Sequence, residues 1–294
     1  MSSGSAVNQI LEIPERRAYA DVEVGQIHYR EAGQGPVLIL LHKTPASSTM
    51  FSRVLPLLAM KCRVIAVDTP GFGMSDQLPA KPGQKLSGYR NAIVEFMDVL
   101  DIQSAHLLGH STGAALAFEI AAHHPNRIDS LIVATSPAVA TEAERDELIA
   151  EIHSGVSPRW VEPVELDGVG DFLEEYPLGP LRSLLTDGDP DQFLVQLIAY
   201  LQALPHYWWI AEGVLAVPGS YELFDRINCP TLVLNTARGL NRQTTLRVHE
   251  SLPGSRYVEL PGDTEVTMDF PVEFSDAVLS FLEECLPEVG LANG

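Results

Sequence analysis

The chain is 294 residues long with 46% apolar and 20% charged side chains, enough for a sizeable core in one large α/β domain or two small ones. Its 39 acidic against 19 basic residues give a formal net charge of −20, which argues against nucleic acid or an anionic membrane as a partner. Three cysteines, Cys62, Cys229 and Cys285, lack C-x-x-C spacing and point away from a metal knuckle or disulfide framework and toward a reducing, cytoplasmic setting.

No apolar run approaches the ~18 residues needed to cross a bilayer. Residues 1–18 read as a tail, opening on Met1-Ser2-Ser3-Gly4-Ser5, which is not a leader pattern. Between Tyr19 and Arg30 two short strands meet at Gly25-Gln26 as a hairpin. Val37-Leu38-Ile39-Leu40-Leu41 is a continuous apolar run, as expected of a strand buried on both faces, and His42-Lys43-Thr44-Pro45-Ala46-Ser47-Ser48 is the loop at its end. A helix over 50–60, a second buried strand over 63–67 and the loop Asp68 to Asp76 follow. Next come a helix over 86–100, a strand over 104–108, a helix over 112–123 and a strand over 130–135.

Strand alternating with helix predicts an α/β class fold with a mostly parallel central sheet and helices on both faces. The period breaks over 138–217, which is helix-like, acidic at first (TEAERDELIAEIH) and aromatic at the end (HYWWIAEGV). This reads as a helical lid inserted into a single core formed by 19–137 and 218–294. The core resumes with strands over 229–235 and 256–260 and helices over 243–252 and 271–286.

The chemistry-bearing stretch is Gly109-His110-Ser111-Thr112-Gly113, between an apolar strand and a small-residue helix. That context defines a nucleophile elbow: the serine sits on a very tight turn, and a side chain at either glycine would collide with its surroundings. With the HKTPASS and DTPGFGMSD loops in order, the chain resembles the α/β-hydrolase superfamily, in particular lidded members such as epoxide hydrolases, haloalkane dehalogenases, C–C hydrolases and small esterases. The resemblance implies an oxyanion hole made by the amides of Thr44 and Thr112, and it places Lys43 where the family usually has glycine.

A serine nucleophile also needs a base and an orienting acid. By the resemblance the acid position falls on Gly239 and the histidine position on Thr264, so both are vacant and the triad is degenerate. Asp263 and Glu265 flank the vacant histidine position, where a carboxylate could abstract an acidic C–H proton if burial raised its pKa. His206 is the candidate displaced base, in the lid cluster with Tyr207, Trp208 and Trp209, which would line an apolar pocket with His42, Lys43 and His110. His28 and His106 read as strand residues, His123 and His124 as a helix end, and His153 and His249 as solvent-facing helical positions. Asp68 resembles a loop-bracing residue of the family.

No G-x-G-x-x-G after the first strand, Walker loop or H-E-x-x-H is present, so cofactor-free and metal-free chemistry is expected. Three functions remain open, each with a small-molecule partner. The first is a non-hydrolytic enzyme of lyase, cyclase or isomerase type, acting on a hydrophobic compound. The others are a Ser111-dependent esterase or C–C hydrolase with a displaced base, and an inactive ligand-binding relative.

Overall fold

The computed structural model describes residues 13–78, 86–137, 190–203 and 223–285, with isolated positions at 143, 146, 150 and 214. Its centre is one eight-stranded sheet. The strands are β1 (Arg16–Val22), β2 (Gly25–Ala32), β3 (Val37–Leu41), β4 (Arg63–Val67), β5 (Ala105–His110), β6 (Ile128–Ala134), β7 (Thr231–Thr236) and β8 (Arg256–Leu260). Their spatial order is β1-β2-β4-β3-β5-β6-β7-β8. β1 pairs antiparallel with β2, and β2 with β4; every other pairing is parallel.

The apolar runs become central strands because alternate residues feed two cores. Ile39, Leu41, Ile65, Val67, Leu107 and Val133 face one, and Leu38, Leu40, Val64, Ala66, Leu108 and Ile132 face the other. The helices are α1 (Leu55–Leu58), α2 (Leu86–Val99), α3 (Thr112–His123), α4 (Pro190–Ala203), α5 (Arg242–Ser251), α6 (Val266–Asp269) and α7 (Pro271–Cys285). The first core takes Phe96 of α2 and Phe118 of α3, while the second takes Leu58 of α1 and Phe274, Val278 and Phe281 of α7. Helices therefore cover both faces of the sheet.

Most boundaries shift by one or two residues from the sequence expectation, and two differ for a clear physical reason. β1 starts at Arg16, inside the stretch read as tail, because Arg16 pairs with Glu31 across the hairpin and its Nη2 lies 2.8 Å from the Glu31 carboxylate. The helix expected over 50–60 is a 3-10 turn (Ser48–Phe51) followed by the short α1, in which Pro56 occupies the first turn. Proline has no N–H to give the preceding turn, so the helix restarts there.

Of the segment 138–217, α4 is the described helix; Phe193, Tyr200 and Ala203 join the first core, while Leu194 and Ile198 are exposed. Among the described residues no helix is long and apolar enough to cross a membrane.

Candidate active site

β5 runs into Ser111, and α3 begins immediately after it. Ser111 has φ 52° and ψ −116°, a backbone state that costs an L-residue about 1–3 kcal/mol. Its N–H donates to the Ala134 carbonyl (2.8 Å) and its carbonyl accepts from the Ala114 N–H (2.8 Å), so both neighbours hold the turn. A Cβ on Gly109 would enter the Gly113 carbonyl, and one on Gly113 would enter the carbonyls of Leu41 and His42. The glycines let the turn press against its own helix and the end of β3. Ser111 is half-buried, and its Oγ has no hydrogen-bond partner among the described residues.

The two residues expected to form the oxyanion hole are in contact. The Thr44 N–H donates to Thr112 Oγ1 (2.7 Å), and Thr112 Oγ1 donates to Thr44 Oγ1 (3.0 Å). Thr112 is the first residue of α3, so its own N–H has no acceptor within the helix.

Beside them, Lys43 and Glu265 form an ion pair between Nζ and Oε1, joining the loop after β3 to the loop after β8. Lys43 is buried, and the other carboxylate oxygen, Glu265 Oε2, is buried without a hydrogen-bond partner. Burial alone would lower the Lys43 pKa, but Glu265 first, then Tyr200 and Asp263, raise it above the ordinary lysine value, so an ammonium is fixed here. Tyr200 comes from α4, and burial raises its phenol. Asp263 accepts the Glu265 N–H at 3.1 Å; Asp263 is exposed and Glu265 half-buried.

Thr264, where the histidine was expected by the resemblance, lies next to the elbow, since its backbone acts on His110. His110 itself is fully buried; burial and then Lys43 lower its pKa to about 3, against the Thr264 backbone, so the ring is neutral. Its Nδ1 is 3.4 Å from Thr135 Oγ1 and its Nε2 has no hydrogen-bond partner. At Gly239, where the acid was expected by the resemblance, a Cβ would meet Thr236 Oγ1, itself buried and without a partner. Nearby, Asn241 Nδ2 donates to the Thr135 carbonyl (2.8 Å), an amide tying together two loops of which one could have carried the acid. Thr135 has φ 46°, unusual for a β-branched residue.

His42 is committed to the loops. Its Nε2 accepts from the Thr69 N–H (3.0 Å), a donor that cannot reverse, so its proton lies on Nδ1, facing the Lys43 carbonyl (2.8 Å). Burial lowers its pKa as well. Asp68 accepts from the amides of Ser48 (2.6 Å) and Met74 (2.9 Å) and meets His28 Nδ1 at 2.8 Å. Burial raises its pKa, but these partners, with His42, outweigh burial and hold the carboxyl below its ordinary value. Sequence reasoning singled out Asp68 but left His28 as an ordinary strand residue. Of the remaining described histidines, His106 bonds to Ser130 Oγ (2.8 Å), His123 to the Glu119 carbonyl (2.9 Å) and His249 to Ser255 Oγ (2.8 Å), while His124 follows the end of α3. His206, Tyr207, Trp208 and Trp209 lie outside the described residues, as does His153. Among the described residues no group of three or more His, Cys, Asp and Glu could hold a metal ion.

A mostly parallel sheet with a strained serine turn at the carboxyl end of a central strand defines an α/β protein that presents its site above the strand ends. Residues 36–184, half of the chain, match the family model described as alpha/beta hydrolase fold, and the chain belongs to that family. It is 37% identical over 111 residues to the 2-hydroxy-6-oxo-6-phenylhexa-2,4-dienoate hydrolase of Comamonas testosteroni, covering 36% of this chain and 38% of that one. It is 32% identical over 114 residues to an uncharacterised protein of Mycobacterium tuberculosis, covering 39% of this chain and 33% of the other. The chain thus spans about a third of the length of these relatives. The crystal structure of a hydrolase from Pseudomonas aeruginosa matches with a TM-score of 0.72 and 26% identity, over 91% of this chain and 98% of the other.

Proposed function

We propose that the protein is a cofactor-independent enzyme that moves a proton on a hydrophobic small molecule bearing a carbonyl beside an acidic C–H bond. Such a step belongs to a lyase, cyclase or isomerase and does not hydrolyse the substrate. The observation that supports this reading is the Lys43–Glu265 pair, with Lys43 buried and Glu265 Oε2 unpartnered, beside the position where the resemblance puts the histidine. Glu265 Oε2 accepts the proton, the C–H electron pair passes to the carbonyl oxygen, and the Lys43 ammonium stabilises the resulting enolate. Return of the proton to another atom of the substrate closes the cycle. Ser111 then serves as a hydroxyl in the pocket. The segment 138–217, with His206, Tyr207, Trp208 and Trp209, supplies the lid and the apolar wall. The three free thiols are consistent with a cytoplasmic location, and the net charge disfavours nucleic acid and anionic membranes.

Deuterium exchange into aryl alkyl ketones, followed by NMR in D2O, tests this. The wild type should accelerate exchange, Ser111→Ala should retain it, and Glu265→Gln should lose on the order of 100-fold or more. A Glu265→Gln variant that exchanges like the wild type would sink the reading. Similarity to the Comamonas hydrolase favours a second reading, hydrolysis by Ser111 with a displaced base such as His206. A fluorophosphonate probe separates the two: rapid stoichiometric labelling of Ser111 supports hydrolysis, and slow or absent labelling supports proton transfer.

A further inference from the structure

An amide N–H has one hydrogen, and that of Thr44 is spent on Thr112 Oγ1 at 2.7 Å, short for a bond of this kind. The Thr112 hydroxyl also has one hydrogen, and the geometry directs it to Thr44 Oγ1 at 3.0 Å. The last hydrogen of the chain is the one on Thr44 Oγ. It finds no acceptor among the described residues, and Thr44 is only 6% exposed, so water does not readily replace the missing partner. A buried donor without an acceptor is costly, and each bond in such a chain polarises the next by roughly 10–30%.

We infer that a ligand oxygen is held by the side-chain hydroxyl of Thr44, aligned by the relay through Thr112, and not by the Thr44 backbone amide. The Thr112 N–H at the start of α3 supplies the second donor. This deepens the proton-transfer reading, since the oxygen in question is that of the enolate. It makes side-chain chemistry at 44 decisive, whereas an amide-based hole is indifferent to it. It also makes Thr112 a positioning residue, acting through Thr44.

4-Nitrophenol is a suitable probe, because its phenolate mimics an enolate oxygen and absorbs in the visible. The wild type should bind the phenolate in preference to the phenol. Thr44→Val, nearly isosteric, should weaken phenolate binding roughly 10- to 100-fold, the loss expected for a hydrogen bond to a charged group. Thr44→Ser should restore it. Thr112→Val should also weaken binding, although it frees the Thr44 amide. Unchanged binding in Thr44→Val, or tighter binding in Thr112→Val, would show that the amide is the donor and overturn the relay. Ketone exchange by the wild type would then leave the proton-transfer reading standing. Absence of any phenolate preference in the wild type would also overturn the relay. Urea unfolding of each variant separates lost binding from lost fold.

Discussion

Removing one member of the Lys43–Glu265 pair should cost far more stability than removing both. Lys43 is enclosed, its side chain 8% exposed, while that of Glu265 is 28% exposed. Breaking a fully buried pair from one side costs about 3–5 kcal/mol. Partial solvation of the carboxylate lowers this to about 2–3 kcal/mol for Glu265→Gln, which strands the ammonium, and to about 1–2 kcal/mol for Lys43→Met, which leaves the more accessible charge. The double variant replaces the pair by neutral side chains and should lie within about 1 kcal/mol of the wild type, giving a coupling energy of about 2 kcal/mol or more. Urea unfolding of all four proteins at neutral pH, with unchanged m values, measures it. The same pair predicts an alkaline signature. The folded pKa of Lys43 lies above the unfolded value of 10.5, so its stabilisation is complete below that pH and fades as pH climbs beyond it. Single-variant costs that add within about 0.5 kcal/mol would refute the coupling.

Two further outcomes follow from the elbow. Burial holds the pKa of His110 near 3, below the unfolded 6.5, so its contribution is present above 6.5 and is lost as pH falls toward 3; His110→Leu should flatten the fall of unfolding free energy there by about 1.4 kcal/mol per pH unit, and an unchanged acid slope in urea titrations would contradict this. Ser111→Gly relieves the strained backbone and should raise stability by about 1 kcal/mol, whereas a lower urea midpoint would show that the turn is unstrained.

The sheet was legible because its central strands are short apolar runs, and Arg256–Leu260 has the bounds expected of it. The start of β1 was hidden because Arg16 and Arg17 are exposed and give no apolar alternation. The elbow could be read because its signal is local: two glycines, a preceding strand and a following helix. Lys43 and Glu265 are separated by 222 residues, and neither type announces a partner, so the fold alone brings them together. The Thr112 relay was equally hidden, because it depends on how closely the loop after β3 approaches the start of α3. The resemblance had placed Lys43 and Glu265 separately at the site, but nothing in the sequence joined them as a pair.

The close approach of Gly113 to the carbonyls of Leu41 and His42 separates two things that a Gly-x-Ser-x-Gly pattern appears to unite. Both glycines are required by chain packing at the carboxyl ends of two central strands, whatever the serine does. A lineage that abandoned nucleophilic catalysis would therefore keep the glycines of its nucleophile signature under selection for folding alone. The motif therefore reports architecture, and the glycines alone do not tell whether the serine between them is a nucleophile.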